Sequence, residues 1–157
     1  MEGSGGVRQR YRDLMIELAG RVLLPFRTVY SLWLPDQDLQ AGLYIVRDSD
    51  EWTRLTARSA SNQPPGPPAP AVNWQIDMCV VVALGTRPSG GYRVLIDTID
   101  VIDGHIRVLA WEIRPGRNCG TTRALTHPFH VVAAPAHAGE AKLVKRVADE
   151  DCEATEY

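Results

Sequence analysis

The chain has 157 residues, of which 45% are apolar and 23% are charged, and its formal net charge is −2. This length fits one domain with a packed core, and the composition excludes a disordered or collagen-like chain. Residues 148–157 hold five of the 19 acidic residues and no Lys or Arg, which leaves 17 basic and 14 acidic residues elsewhere. Residues 1–147 are therefore only weakly basic and contain no basic run, which does not favour nucleic-acid binding.

The N-terminal region has two parts. Residues 1–6 are rich in Gly and Ser, and we predict that they are disordered. Residues 7–24 place apolar side chains at steps of three and four, which predicts an amphipathic helix that packs on the domain or docks a partner, and that offers a route to an oligomer. No stretch has the pattern of a membrane span or a signal peptide. The chain as given therefore suits the cytoplasm, or an extracytoplasmic location if an export signal was removed.

Residues 26–147 show the pattern of a β domain. Asp48 and Glu51 form a capping-box pattern that starts a short helix, and Asp103-Gly104 predicts a two-residue hairpin turn. We expect a mainly β protein, either a two-layer immunoglobulin-like β-sandwich or an open barrel, flanked by the N-terminal helix and the short helix. Runs rich in aromatic and β-branched residues predict strands at 26–33, 43–47, 74–84, 92–103, 105–114, 128–134 and 141–147.

Two segments lack the pattern of packed elements. Residues 59–72 contain five prolines and predict an exposed, polyproline-like loop. Residues 148–157 predict an acidic disordered tail.

The residues that most often carry catalysis or bind metals form no recognisable arrangement. His127 and His130 are three positions apart, but in a strand they point to opposite faces, which does not favour a shared metal ion. Cys119 lies among arginines that favour a thiolate, yet the sequence places no general base beside it. Nucleotide-binding glycine motifs are absent from the sequence. We therefore expect no enzyme activity, no cofactor and no metal.

The cysteines do not predict a disulfide framework. There are three of them, Cys79, Cys119 and Cys152, and none lies at C-x-x-C or Cys/His ligand spacing. An odd number leaves at least one thiol free or paired between chains.

The loop that follows the most apolar strand is the strongest candidate for recognition. Its glycines permit backbone conformations that other residues resist, and its proline restricts the preceding residue to extended conformations, so the loop is stiff. Stiff loops on a β framework bind partners with little loss of entropy. The alternative is a tight turn whose tyrosine packs into the core. The predicted protein-binding residues are Arg87, Pro88, Ser89, Gly90, Gly91 and Tyr92.

Several motifs resemble the PrcB C-terminal-domain family. They are the run from Leu84 to Tyr92 (LGTRPSGGY), Arg114-Pro115-Gly116 followed by Cys119, the run from Thr126 to Val132 (THPFHVV), and the strand-to-helix entry from Ile45 to Trp52. The resemblance covers residues 26–147. It implies a non-catalytic accessory or stabilising subunit of a protease complex. The implied partner is a protein, and a protease is the candidate. The 86–92 loop is also similar to the inhibitory loop of chagasin-like cysteine-protease inhibitors, which implies a protease inhibitor as the alternative.

Overall fold

The computed structural model describes residues 20–31, 39–57 and 70–152, and within these ranges the chain forms eight strands and one short helix. The prediction of a mainly β protein is confirmed. The described residues contain no helix that is long and apolar enough to cross a membrane. The elements are β1 Arg21–Leu23, β2 Arg27–Ser31, β3 Gly42–Val46, α1 Ser49–Thr56, β4 Asp77–Ala83, β5 Arg93–Ile102, β6 His105–Pro115, β7 Phe129–Pro135 and β8 Ala141–Glu150.

The strands form two four-stranded sheets that face each other. Sheet A has the order β1-β5-β6-β8 and sheet B the order β2-β7-β4-β3. The pairs are antiparallel except β6 and β8, which run parallel over ten register positions. Met78, Val80 and Val132 of sheet B share one buried cluster with Ile99 and Val108 of sheet A. The sheets thus enclose a common core, and among the described strands neither sheet closes into a barrel.

Strand β4 is buried on both faces, as its continuous apolar run indicates. One face lies in the core between the sheets, and on the other face Cys79 and Val81 pack in a second cluster with Trp52 of α1. The Trp52 ring is 2% exposed and stacks on Tyr30 with the ring centroids 5.7 Å apart. The helix therefore covers the outer face of sheet B.

Local sequence signals set the start of α1 and the β5–β6 turn. Asp48 caps the helix, because its Oδ1 accepts a hydrogen bond from the Glu51 amide at 2.7 Å. The Glu51 carboxylate in turn accepts from the Arg47 amide at 2.6 Å. At the hairpin, Asp103 and Gly104 adopt φ values of 50° and 76°, which a two-residue turn requires. Both predictions are confirmed.

The predicted N-terminal helix over residues 7–24 needs correction at its end. Residues 21–23 form β1, which pairs with the edge of β5, and Leu24 donates a backbone hydrogen bond to Ile99 at 2.8 Å. Arg21 is held there because its side chain reaches the buried Asp100 carboxylate at 2.8 Å. These long-range contacts favour a strand over the helical pattern. Residues 1–19 lie outside the described ranges.

The prediction of a disordered acidic tail from residue 148 is wrong over residues 148–150. The ladder with β6 keeps β8 extended through Glu150, and the acidic side chains find basic partners: Arg114 contacts Asp149 at 3.1 Å and Arg93 contacts Glu150 at 3.3 Å. Residues 153–157 lie outside the described ranges.

The prediction of an exposed loop over residues 59–72 is wrong at its C-terminal end. Pro70 is buried and Val72 packs against the cluster around Trp52, while residues 58–69 lie outside the described ranges. The last residues of the segment therefore join the fold instead of serving as an exposed spacer.

Candidate functional site

Two connections meet at one end of the domain. Residues 84–92 join β4 to β5, and residues 116–128 join β6 to β7. We call residues 86–92 and 121–126 the paired loops, because backbone hydrogen bonds join them. Arg87 and Thr126 exchange two such bonds, at 2.8 and 3.0 Å, and the Gly90 amide donates to the Thr122 carbonyl at 3.0 Å. The predicted recognition loop therefore lies along a neighbouring segment and does not project alone.

Glycine permits this close approach. Gly91 has a φ of 89°, and a side chain there would place its Cβ 2.9 Å from the Cβ of Pro115. A Cβ on Gly90 would lie 2.6 Å from the Thr122 hydroxyl oxygen. Such distances are shorter than van der Waals contact, so larger residues would push the paired loops apart.

A buried ion pair fixes the base of the paired loops. The Arg87 guanidinium contacts the Glu112 carboxylate at 2.7 Å, and the Lys145 ammonium reaches the same oxygen at 3.0 Å. Burial would raise the pKa of Glu112, but hydrogen bonds and charge from Arg87 and Lys145 outweigh it and hold the pKa below its usual value. The carboxylate therefore stays ionised and ties the loop to β6 and β8.

The six predicted residues differ in exposure. Pro88 and Gly91 are exposed, whereas Arg87, Ser89, Gly90 and Tyr92 are half-buried. Tyr92 packs against the core between the sheets, and its ring lies 5.9 Å from the Arg87 guanidinium carbon. The structure therefore supports the alternative in which Tyr92 packs against the core.

The second of the paired loops, residues 121–126, carries residues that could not be singled out from the sequence. Residues 120–125 are exposed, and the Leu125 side chain is 67% exposed. Arg123, two positions before Leu125, adds a positive charge to this loop, and among the described residues it makes no ion pair. The available signal was an isolated leucine in a polar stretch between two strands, which is weak because single exposed apolar residues are common.

Comparison with known families gives a match inside the β domain. Residues 78–135 match the family model described as PrcB C-terminal. This segment is similar to the PrcB C-terminal family. The predicted resemblance is confirmed over these residues, which run from β4 to β7 and include both paired loops. No curated protein and no solved structure matches the chain. The similarity to chagasin-like inhibitors is not shown.

A disulfide that the cysteine spacing did not predict links the segment matched by the PrcB C-terminal model to β8. Cys119 is bonded to Cys152, 33 positions along the chain. The parallel course of β8 beside β6 causes the proximity. It brings the end of β8 next to the start of the β6–β7 connection, where the Gly116 amide donates to the Glu150 carbonyl at 3.1 Å. Sequence spacing carries no sign of this pairing. Cys79 is the free thiol, and it is buried.

Three groups that the sequence analysis raises for chemistry, Cys119, Cys79 and His130, are engaged or buried. Cys119 is in the disulfide, and burial raises the pKa of Cys79 to about 11, so its thiol stays protonated. His130 is buried and both its ring nitrogens make hydrogen bonds. Cys119, Glu150 and Cys152 bring three potential ligand atoms within 4.8 Å, but two of these are the disulfide sulfurs.

Proposed function

We propose that this protein is a non-catalytic accessory or stabilising subunit of a protease complex, and that it binds its protein partner through the paired loops. The PrcB C-terminal match supports an association with a protease complex. The framework in this proposal is a two-layer β-sandwich, supported by the core that the two sheets share. Its immunoglobulin-like type stays a prediction.

One observation carries the choice of surface: the paired loops are exposed and yet held at several points. Hydrogen bonds join them to each other, the Arg87–Glu112 pair anchors the first loop, and the Cys119–Cys152 disulfide anchors the segment before the second. A surface that is already ordered loses little conformational entropy on binding. Leu125 and Pro88 offer apolar contacts at its exposed side.

The inhibitor alternative uses the 86–92 loop as a wedge in an active-site cleft. Within this loop only residues 86, 88 and 91 are exposed, because the second loop covers much of the rest. This arrangement favours contact with a flat or shallow surface over insertion of the whole loop. The inhibitor hypothesis stays a prediction, and the same experiment addresses it.

The experiment compares capture of partners by the intact chain and by two variants. Leu125→Asp places a charge on the paired loops, whereas Ile76→Asp is the matched control, because Ile76 is 63% exposed and lies beyond the start of β4, at the other end of the domain. We expect the intact chain and Ile76→Asp to retain the same protease from an extract of the source cells. Leu125→Asp should lose at least about 90% of it, since a buried uncompensated charge costs several kcal/mol.

Assay of the captured protease separates the two functions. An accessory subunit leaves its peptidase activity unchanged or longer-lived, whereas an inhibitor abolishes the activity at a one-to-one ratio. Equal capture by both variants would exclude the paired loops as the binding site. Capture of proteins that include no protease would exclude the protease-complex proposal itself.

A further inference from the structure

The outer face of sheet A carries an apolar patch. Side chains alternate along β5, β6 and β8, so the residues between the core positions point to the outside of the sheet. Leu95 and Val144 there are 43% and 41% exposed, and the other members are half-exposed. None of them belongs to the buried clusters. The patch consists of Leu95, Leu109, Trp111, Ile113 and Val144.

The two sheets differ in how their outer faces are covered. Helix α1 and residues around Val72 cover sheet B, which leaves Trp52 only 2% exposed. In sheet A, by contrast, the part of the chain that the structure describes leaves the patch open to solvent. A contiguous apolar patch on a sheet face indicates a binding surface.

The charges beside the patch are arranged in a self-complementary way. Trp111 lies on the middle strand β6, and its indole nitrogen donates to Asp97 of β5 at 3.2 Å. On the opposite side, the guanidinium carbon of Arg146 of β8 lies 5.9 Å from the Trp111 ring centroid. Among the described residues neither Asp97 nor Arg146 makes an ion pair. An acidic side and a basic side therefore flank one aromatic centre.

We propose that two copies of this chain form a dimer through the outer faces of sheet A, related by a two-fold axis that runs along β6 between the two Trp111 rings. Rotation about this axis brings β5 of each copy over β8 of the other. Asp97 of one copy then lies near Arg146 of the second, and the reverse contact forms by symmetry. The apolar side chains around Trp111 supply the buried centre, and the charges select the orientation.

A matched pair of variants tests the surface. Val144→Asp adds a carboxylate to the patch next to Asp97 of the second copy. Val147→Asp makes the same change on the same strand at a similarly exposed side chain, 46% against 41%, but on the opposite face of β8. Sedimentation velocity of the full chain over a range of concentrations gives the dissociation constant of the dimer. We expect Val144→Asp to raise it at least about tenfold and Val147→Asp to change it by less than about twofold.

Exchange of the charges tests the axis. Asp97→Arg and Arg146→Asp each bring like charges together and should weaken the dimer, whereas the double variant restores opposite charges across the axis and should recover most of the affinity. A chain that is monomeric at all concentrations would overturn the proposal. In that case residues 1–19, another protein or solvent would cover the patch in place of a second copy. A dimer insensitive to Val144→Asp, or a double variant weaker than both single variants, would overturn it as well.

Discussion

His130 connects the two sheets through its imidazole ring. Its Nδ1 accepts a hydrogen bond from the Ile96 amide of sheet A at 2.9 Å, so the proton of the neutral ring is on Nε2, which lies 2.9 Å from the Thr28 hydroxyl of sheet B. The ladder between β5 and β6 is irregular between Ile96 and Thr98, beside this amide. Burial lowers the pKa of His130, because a charged ring would lose its hydration.

This lowered pKa predicts how stability depends on pH. Between a pH of about 6.5 and the lower pKa of the folded state, the unfolded chain binds a proton at His130 that the folded chain does not. The free energy of unfolding therefore falls as the pH falls between these two values. His130→Phe should remove that dependence and also cost about 1–3 kcal/mol, because the Ile96 amide loses its acceptor. Urea unfolding of both proteins across this range measures the two effects.

His105→Phe is the control for this prediction, because His105 is exposed at the start of β6. It should leave the pH dependence nearly unchanged. If His130→Phe shows the same slope against pH as the unchanged chain, another group is responsible and the assignment to His130 is wrong.

At the residue scale, the contacts of His130 could not be predicted from the sequence, and the divergence of His127 and His130 stays a prediction. The strand pattern around Pro128 to Val132 indicated that His127 and His130 would not share a metal ion. The hydrogen bond from Ile96 joins residues 34 positions apart, and it depends on how two sheets face each other. Local patterns contain no information on such a contact.

At the element scale, short turns that need unusual backbone angles predict well. The β5–β6 hairpin illustrates this, since Gly104 holds a φ of 76° that residues with a Cβ resist. Gly104→Ala should therefore lower the free energy of unfolding by about 1 kcal/mol. Gly20→Ala is the matched control, because Gly20 has no positive φ and no atom within 4 Å of an added Cβ. Equal unfolding midpoints for the two variants in denaturant would contradict the prediction.

Elements whose existence depends on distant partners were predicted less well. Strand β1 has three residues, too few for a periodic pattern, and it forms because the edge of β5 and the Asp100 carboxylate are nearby. Strand β8 was predicted to end at Val147, but its ladder with β6 continues to Glu150. Its parallel direction was not predicted, since the pattern of one strand does not reveal the neighbour beside it.

At the scale of the whole molecule, the disulfide joins two distant parts of the chain. Closing a loop of this length reduces the entropy of the unfolded chain and stabilises the fold by about 3–4 kcal/mol. Reduction should lower the free energy of unfolding by that amount. Cys152→Ser should show the lower value with or without reductant, and Asp151→Ser should behave like the unchanged chain. Titration of the unfolded, unreduced chain should find one thiol, and a count of three would contradict the bridge.

The candidate site was only half predictable at this scale. The motif from Leu84 to Tyr92 indicated the first loop, because glycine and proline leave clear local signals. The second loop and the Glu112 anchor were missed, since they come from a different connection and a different strand. A charged residue at an inward position of β6, next to Val108 and Ala110, was the sign that Glu112 needs a basic partner.

The parallel pair of β6 and β8 also decides how the domain would respond to mechanical tension. Strand β1 enters at one end of sheet A, and β8 leaves at the other end on the opposite edge. A pull between residues 21 and 150 would load the short ladder of β1 with β5 and the long ladder of β8 with β6 in shear, so the rungs of each ladder would resist together instead of opening one by one. A pull applied beyond Cys152 would pass through the disulfide into Cys119 and then β6. Oxidation would thereby protect β8 from stretching, and reduction would expose it to the full force.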